Sequence, residues 1–117
     1  MLVSRQSLRI SRTFGGVIVT NYLWRPILPA ICQTVAADGI LIYETFAIGH
    51  ERLGGKPSNP AFLLRPNELL DAAIASGLAV NAFEQVREDQ PGPRIVQRIA
   101  AVGAPHPWAT SPPSQAG

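Results

Sequence analysis

The residues best equipped for chemistry fall in two clusters, each at the end of an apolar run. Thr20, Asn21, Tyr22, Trp24 and Arg25 follow the β-branched run Val17-Ile18-Val19, and Glu44, Thr45 and Phe46 close the apolar run that begins at Ile40. Each cluster joins hydrogen-bonding or charged groups to aromatic faces, a mixture suited to holding a small organic molecule. Other chemistries have less to build on. Cys32 is the single cysteine, which excludes an internal disulfide and a cysteine-based metal cluster and fits a reducing compartment. Cys32 is expected in the core, and His50, with only His106 besides it, as a surface loop residue rather than a metal ligand.

To meet at one site, the two clusters need neighbouring strands. An all-β-branched stretch such as 17–19 predicts a strand buried on both faces, as in parallel sheets flanked by helices. Ligands of such sheets bind beyond the carboxyl ends of the strands, which is where residues 20–25 fall. Residues 24–37 read as a helix, with Pro26 and Pro29 in its first turn and Ile27, Leu28, Ile31 and Val35 on one face. Asp38-Gly39 reads as its end, with Gly39 in a left-handed conformation. Residues 40–46 are then a second buried strand. The strand, helix, strand order predicts a right-handed parallel crossover that sets Glu44, Thr45 and Phe46 beside Asn21 and Tyr22.

The remaining elements frame these two. Residues 47–64 form a long irregular connection of the kind that serves as a lid or binding loop. Gly54-Gly55-Lys56 is not a phosphate loop, because His50 stands where its first glycine belongs and Pro57 replaces Ser or Thr. Residues 64–77 predict a helix with Pro66 and Glu68 at its start, Gly77 at its end, and Leu69, Leu70, Ala73 and Ile74 inward. Residues 78–86 and 94–102 predict an antiparallel hairpin joined by turn chemistry, and the proline-rich segment 104–117 predicts a disordered tail. Residues 1–13, with Arg5, Arg9 and Arg12 and no acid, read as an irregular basic leader.

The chain has 117 residues, enough for one domain, and 10 basic against 8 acidic residues give a net charge of +2. That balance is too even to mark a nucleic-acid binder, and no apolar run has the roughly 20 residues that span a bilayer. A cytoplasmic protein with no nucleic-acid or membrane partner is the expectation.

The segments 17–26, 41–46 and 57–69 together resemble the C-terminal half of a class I S-adenosylmethionine-dependent methyltransferase, of a bacterial group related to tellurite-resistance-type methyltransferases. The resemblance covers residues 14–103. It implies an α/β, partial doubly wound, Rossmann-like sheet comprising strands four to seven, with the seventh antiparallel to its neighbours in a terminal hairpin. It further implies S-adenosylmethionine as cofactor and a small-molecule acceptor. Asn21 and Tyr22 would lie near the methionine part of the cofactor, and Trp24, Arg25, Thr45 and Phe46 near the acceptor, with Glu44 as catalytic base. Methyl transfer is an in-line displacement that depends mainly on positioning; aromatic faces at Tyr22, Trp24 or Phe46 suit a sulfonium or a planar acceptor. The family's glycine-rich turn and the acidic residue that holds the ribose have no counterpart here, since Gly15-Gly16 precede a strand and open no helix.

The chain is therefore expected to be a fragment that is inactive, and does not bind the cofactor, by itself. The alternative is a noncatalytic interaction module. Either way an open apolar edge over residues 17–20 predicts self-association, or pairing with the missing half.

Overall fold

The computed structural model describes residues 2–3 and 13–114. Their centre is a five-stranded sheet, β1 (Leu2–Val3), β2 (Phe14–Thr20), β3 (Val35–Phe46), β4 (Ala79–Glu88) and β5 (Arg94–Val102), in the order β1-β2-β3-β5-β4. The first three are mutually parallel, and β5 is antiparallel to both β3 and β4. The mixed α/β architecture and the terminal hairpin follow the sequence reading. Two helices, α1 (Leu28–Gln33) and α2 (Glu68–Ala75), complete the regular structure.

The core lies on one face of the sheet. Val17 and Val19 of β2, Leu41 and Tyr43 of β3, and Ile99 and Ala101 of β5 point toward Leu28, Ile31 and Cys32 of α1 and Leu69 and Ala73 of α2. Cys32 is the core residue that was expected, and burial pushes its thiol above its ordinary pKa. Burial on both faces of β2 does not hold: Ile18 is 48% exposed, and its register partner Ile42 is 41% exposed. Both helices cover the same face, so the strands alternate inward and outward instead of being apolar throughout.

The first predicted helix is much shorter than residues 24–37. Pro26 and Pro29 remove donors from its start, leaving a 3-10 turn at Arg25–Ile27 before α1. Its end comes at Thr34, whose hydroxyl donates back to the Ile31 carbonyl at 2.6 Å, and the β-branched Val35 opens β3. Gly39 therefore caps no helix. It sits in an irregular start to β3, where the pairing jumps from Phe14↔Val35 to Gly16↔Ile40. A Cβ at Gly39 would stand 2.8 Å from the Phe14 carbonyl oxygen, so close backbone approach, not a left-handed turn, requires the glycine.

Gly77, at φ +79°, does end the second helix as predicted, but α2 packs through the Leu69/Ala73 stripe, leaving Leu70 half-buried and Ile74 exposed. The tail also differs from expectation. Pro107–Ala109 forms a 3-10 turn in which the Trp108 amide donates to His106 Nδ1 at 2.9 Å, and Asn81 Nδ2 donates to the Trp108 carbonyl at 2.8 Å. Prolines that oppose helix and sheet preset this short turn, and β4 receives it. Residues 115–117 and most of the leader lie outside the described residues. The edge of β2 is not fully open: β1 pairs with Ile18 and Val19. Among the described residues no helix is long and apolar enough to cross a membrane.

Candidate functional site

The carboxyl ends of β2 and β3 open onto a cavity of about 780 Å³, within the range of small-molecule sites. One wall is made where β2 stops. Asn21 adopts φ +53°, a left-handed conformation that asparagine tolerates better than most residues, and its amide donates to the Glu44 carbonyl at 2.9 Å. This turn sends Tyr22 and Leu23 back into the core and leaves Trp24 48% exposed. The buried Tyr43 hydroxyl donates to the Tyr22 carbonyl at 2.8 Å, locking the turn to β3. Burial raises the Tyr22 phenol above its ordinary pKa, so at neutral pH it stays protonated and can donate. Thr45 and Phe46, at the end of β3, extend the same wall.

The long loop supplies the rest of the lining, through Lys56, Pro57, Ser58, Asn59 and Phe62. Two anchors hold it. His50 is buried, a correction to its expected surface position. Its Nδ1 accepts from the Ile95 amide at 3.3 Å, which leaves the proton on Nε2 to donate to the Lys56 carbonyl at 3.2 Å, while its ring lies 4.4 Å from that of Phe46. Arg25 is the second anchor. Its guanidinium donates to the carbonyls of Pro60, Ala61 and Leu63 and forks onto Glu68, Nε to Oε2 at 2.8 Å and Nη2 to Oε1 at 2.9 Å. Desolvation alone would raise the Glu68 carboxyl. The Arg25 hydrogen bonds, the Arg65 amide and the two arginine charges outweigh it and hold the carboxyl below its ordinary pKa.

Of the sequence-predicted site residues, Asn21, Tyr22, Trp24, Thr45 and Phe46 meet at the cavity, whereas Arg25 and Glu44 do not line it. Arg25 spends its donors on the loop and Glu68. Strand alternation turns Glu44 to the open sheet face, where Arg98 donates to it from Nε at 2.7 Å and also from Nη2. Arg98 also binds Glu84 and Glu88, and Arg94 binds Glu88, so hydrogen bonds from the two arginines lower the Glu88 carboxyl to about 2. Glu44 thus belongs to a surface charge network and cannot serve as base in the cavity. Asn21 is exposed at the rim of the cavity.

Sequence reasoning missed the loop residues as individuals. The length of segment 47–64 was the available signal; nothing in the local sequence tells that Lys56 and Phe62 turn toward the strand ends. Among the described residues no group of three or more His, Cys, Asp or Glu could hold a metal. The lining offers aromatic faces, amide and hydroxyl groups and one ammonium, a binding surface without a carboxylate or imidazole. Compared with known families and characterised proteins, the chain matches no family model and no characterised protein.

Proposed function

We propose that residues 14–103 form the acceptor-side half of a class I S-adenosylmethionine-dependent methyltransferase domain, a Rossmann-like unit acting on a small-molecule acceptor. The observation that carries this reading is the coincidence of topology and pocket. β5, which the resemblance would make the seventh strand, is antiparallel to both neighbours, and five residues expected near cofactor or acceptor line one cavity at the carboxyl ends of β2 and β3.

The lining matches part of the cofactor's chemistry. Aromatic faces at Tyr22, Trp24 and Phe46 suit a sulfonium, and Asn21, Thr45 and Ser58 suit an amino acid's polar groups, but no lining carboxylate is available for a ribose. These residues therefore fit the methionine end and the acceptor, not the nucleoside. When bound, the cofactor supplies an electrophilic methyl group. The protein's part is to hold the acceptor in line with it and keep water out.

The test is a titration of ¹⁵N-labelled protein with S-adenosylmethionine to about 5 mM, which detects dissociation constants in the millimolar range. Because the methionine side of the pocket is present, weak binding is expected where the missing glycine-rich turn implied none: shifts confined to Asn21–Trp24, Thr45–Phe46 and Ser58 support the reading, and shifts elsewhere, or none, reject it. A second reading, a noncatalytic interaction module, draws on the exposed Ile18 and Ile42 of the open sheet face and on the short cover that β1 gives to the β2 edge. It requires pairing of that edge with another chain; light scattering reads the case in which the partner is a second copy, and a monomer at about 100 μM, well above ordinary specific affinities, removes that case.

A further inference from the structure

The cavity has a charge character that its position alone does not explain. Among the described residues every arginine lies within salt-bridge distance of a carboxylate, while Lys56 has no ion-pair partner. That unpaired cation is the one that lines the cavity, and no Asp or Glu lines it. The same cavity is lined by two large, half-open aromatic side chains, Trp24 at 48% exposure from the turn after β2 and Phe62 at 44% from the long loop. Exposed rings from two separate segments suit a flat aromatic ligand, and an uncompensated ammonium suits an anion.

We infer that the cavity binds a planar aromatic carboxylate, with Trp24 and Phe62 against its faces and Lys56 at its carboxylate group. The role of this ligand as methyl acceptor rests on the methyltransferase reading; the binding itself does not. As an acceptor, a carboxylate solves the problem left by Glu44. The lining contains no carboxylate or imidazole, and His50 has both ring nitrogens engaged, so an acceptor whose proton must be removed would lack a base. At neutral pH phenols and thiols are largely protonated, whereas a carboxylic acid is fully ionised. Were a sulfonium donor bound, it would supply the methyl group: the carboxylate oxygen would form the O–CH₃ bond as the S–CH₃ bond broke with its electron pair going to sulfur, leaving a neutral ester and a neutral thioether. No proton moves.

The experiment is calorimetric titration of the full chain with 2-naphthoate and its uncharged isostere 2-naphthamide, without any methyl donor. Naphthoate is expected to bind about three- to fivefold tighter than naphthamide at low salt, the range of a solvent-exposed ion pair. Lys56→Gln should abolish that preference and leave naphthamide affinity unchanged. Phe62→Ala should weaken both ligands by about tenfold, and the indole NH resonance of Trp24, not of Trp108, should shift on binding. Equal affinities in the wild-type protein, a preference that survives Lys56→Gln, or a response at Trp108 would overturn the inference. Naphthoate binding without any S-adenosylmethionine response sinks only the methyl-transfer reading, and the converse sinks only this one.

Discussion

Replacing Arg25 with alanine removes the anchor between the end of β2 and the cavity's loop wall. The side chains of Arg25 and Glu68 are 27% and 13% exposed, so the pair is shielded but not sealed from water. The substitution deletes two charge-assisted hydrogen bonds to Glu68 and three donations to the carbonyls of Pro60, Ala61 and Leu63. Glu68 retains the Arg65 amide at 2.8 Å and the mostly exposed Arg65 guanidinium at 3.6 Å, a partial replacement. A fully buried broken pair costs about 3–5 kcal/mol and a charged hydrogen bond about 1.5–3, so partial exposure points to about 2–3 kcal/mol. In urea that loss lowers the midpoint by roughly 1–2 M.

Arg25→Lys keeps the charge but not the fork, and should recover less than half of the loss. The pH dependence gives an independent sign. Because the folded-state pKa of Glu68 is depressed below its ordinary 4.5, its contribution is complete above that value and is lost as pH falls through the lower, folded value. The wild-type advantage over Arg25→Ala should therefore be full at neutral pH and shrink in acid below 4.5. Amides of Phe62 and Leu63 should exchange faster in the variant. A midpoint change under about 0.3 M, or an advantage that grows in acid, would refute the account of Arg25 as the loop's anchor.

Three further outcomes are expected. Glu44→Gln should leave naphthoate affinity at the cavity within about twofold, because Glu44 faces Arg98 on the other side of the sheet; a tenfold loss would return it to the site. His50→Ala should cost about 1–3 kcal/mol by stranding the Ile95 amide and the Lys56 carbonyl, seen as a lower melting temperature and loss of hydrogen-exchange protection at Ile95. Gly103→Ala should cost about 3 kcal/mol or more, since its Cβ would lie 2.0 Å from the Ala37 carbonyl oxygen, whereas Gly15→Ala, with nothing within 4 Å, should change the melting temperature little.

Local physics determined much of this chain from its sequence. β-branching at residues 17–19, the turn residues between 86 and 94, and Gly77 at a helix end each act within a few residues, and β2, the β4–β5 hairpin and the end of α2 follow them. The placement of Asn21, Tyr22, Thr45 and Phe46 at one edge was legible for the same reason, because strand ends and parallel order define that edge. Tertiary structure decided the rest. Whether β2 is buried on one face or two depends on where distant helices settle, and both settle on the face of Val17 and Val19. Whether a charged residue faces a ligand depends on its distant partners. Glu68 claims Arg25 and Arg98 claims Glu44, at sequence separations of 43 and 54 residues, so neither remains for the cavity. Lys56 is left there without an ion-pair partner among the described residues, and only the folded loop brings it to the cavity that Trp24 also lines.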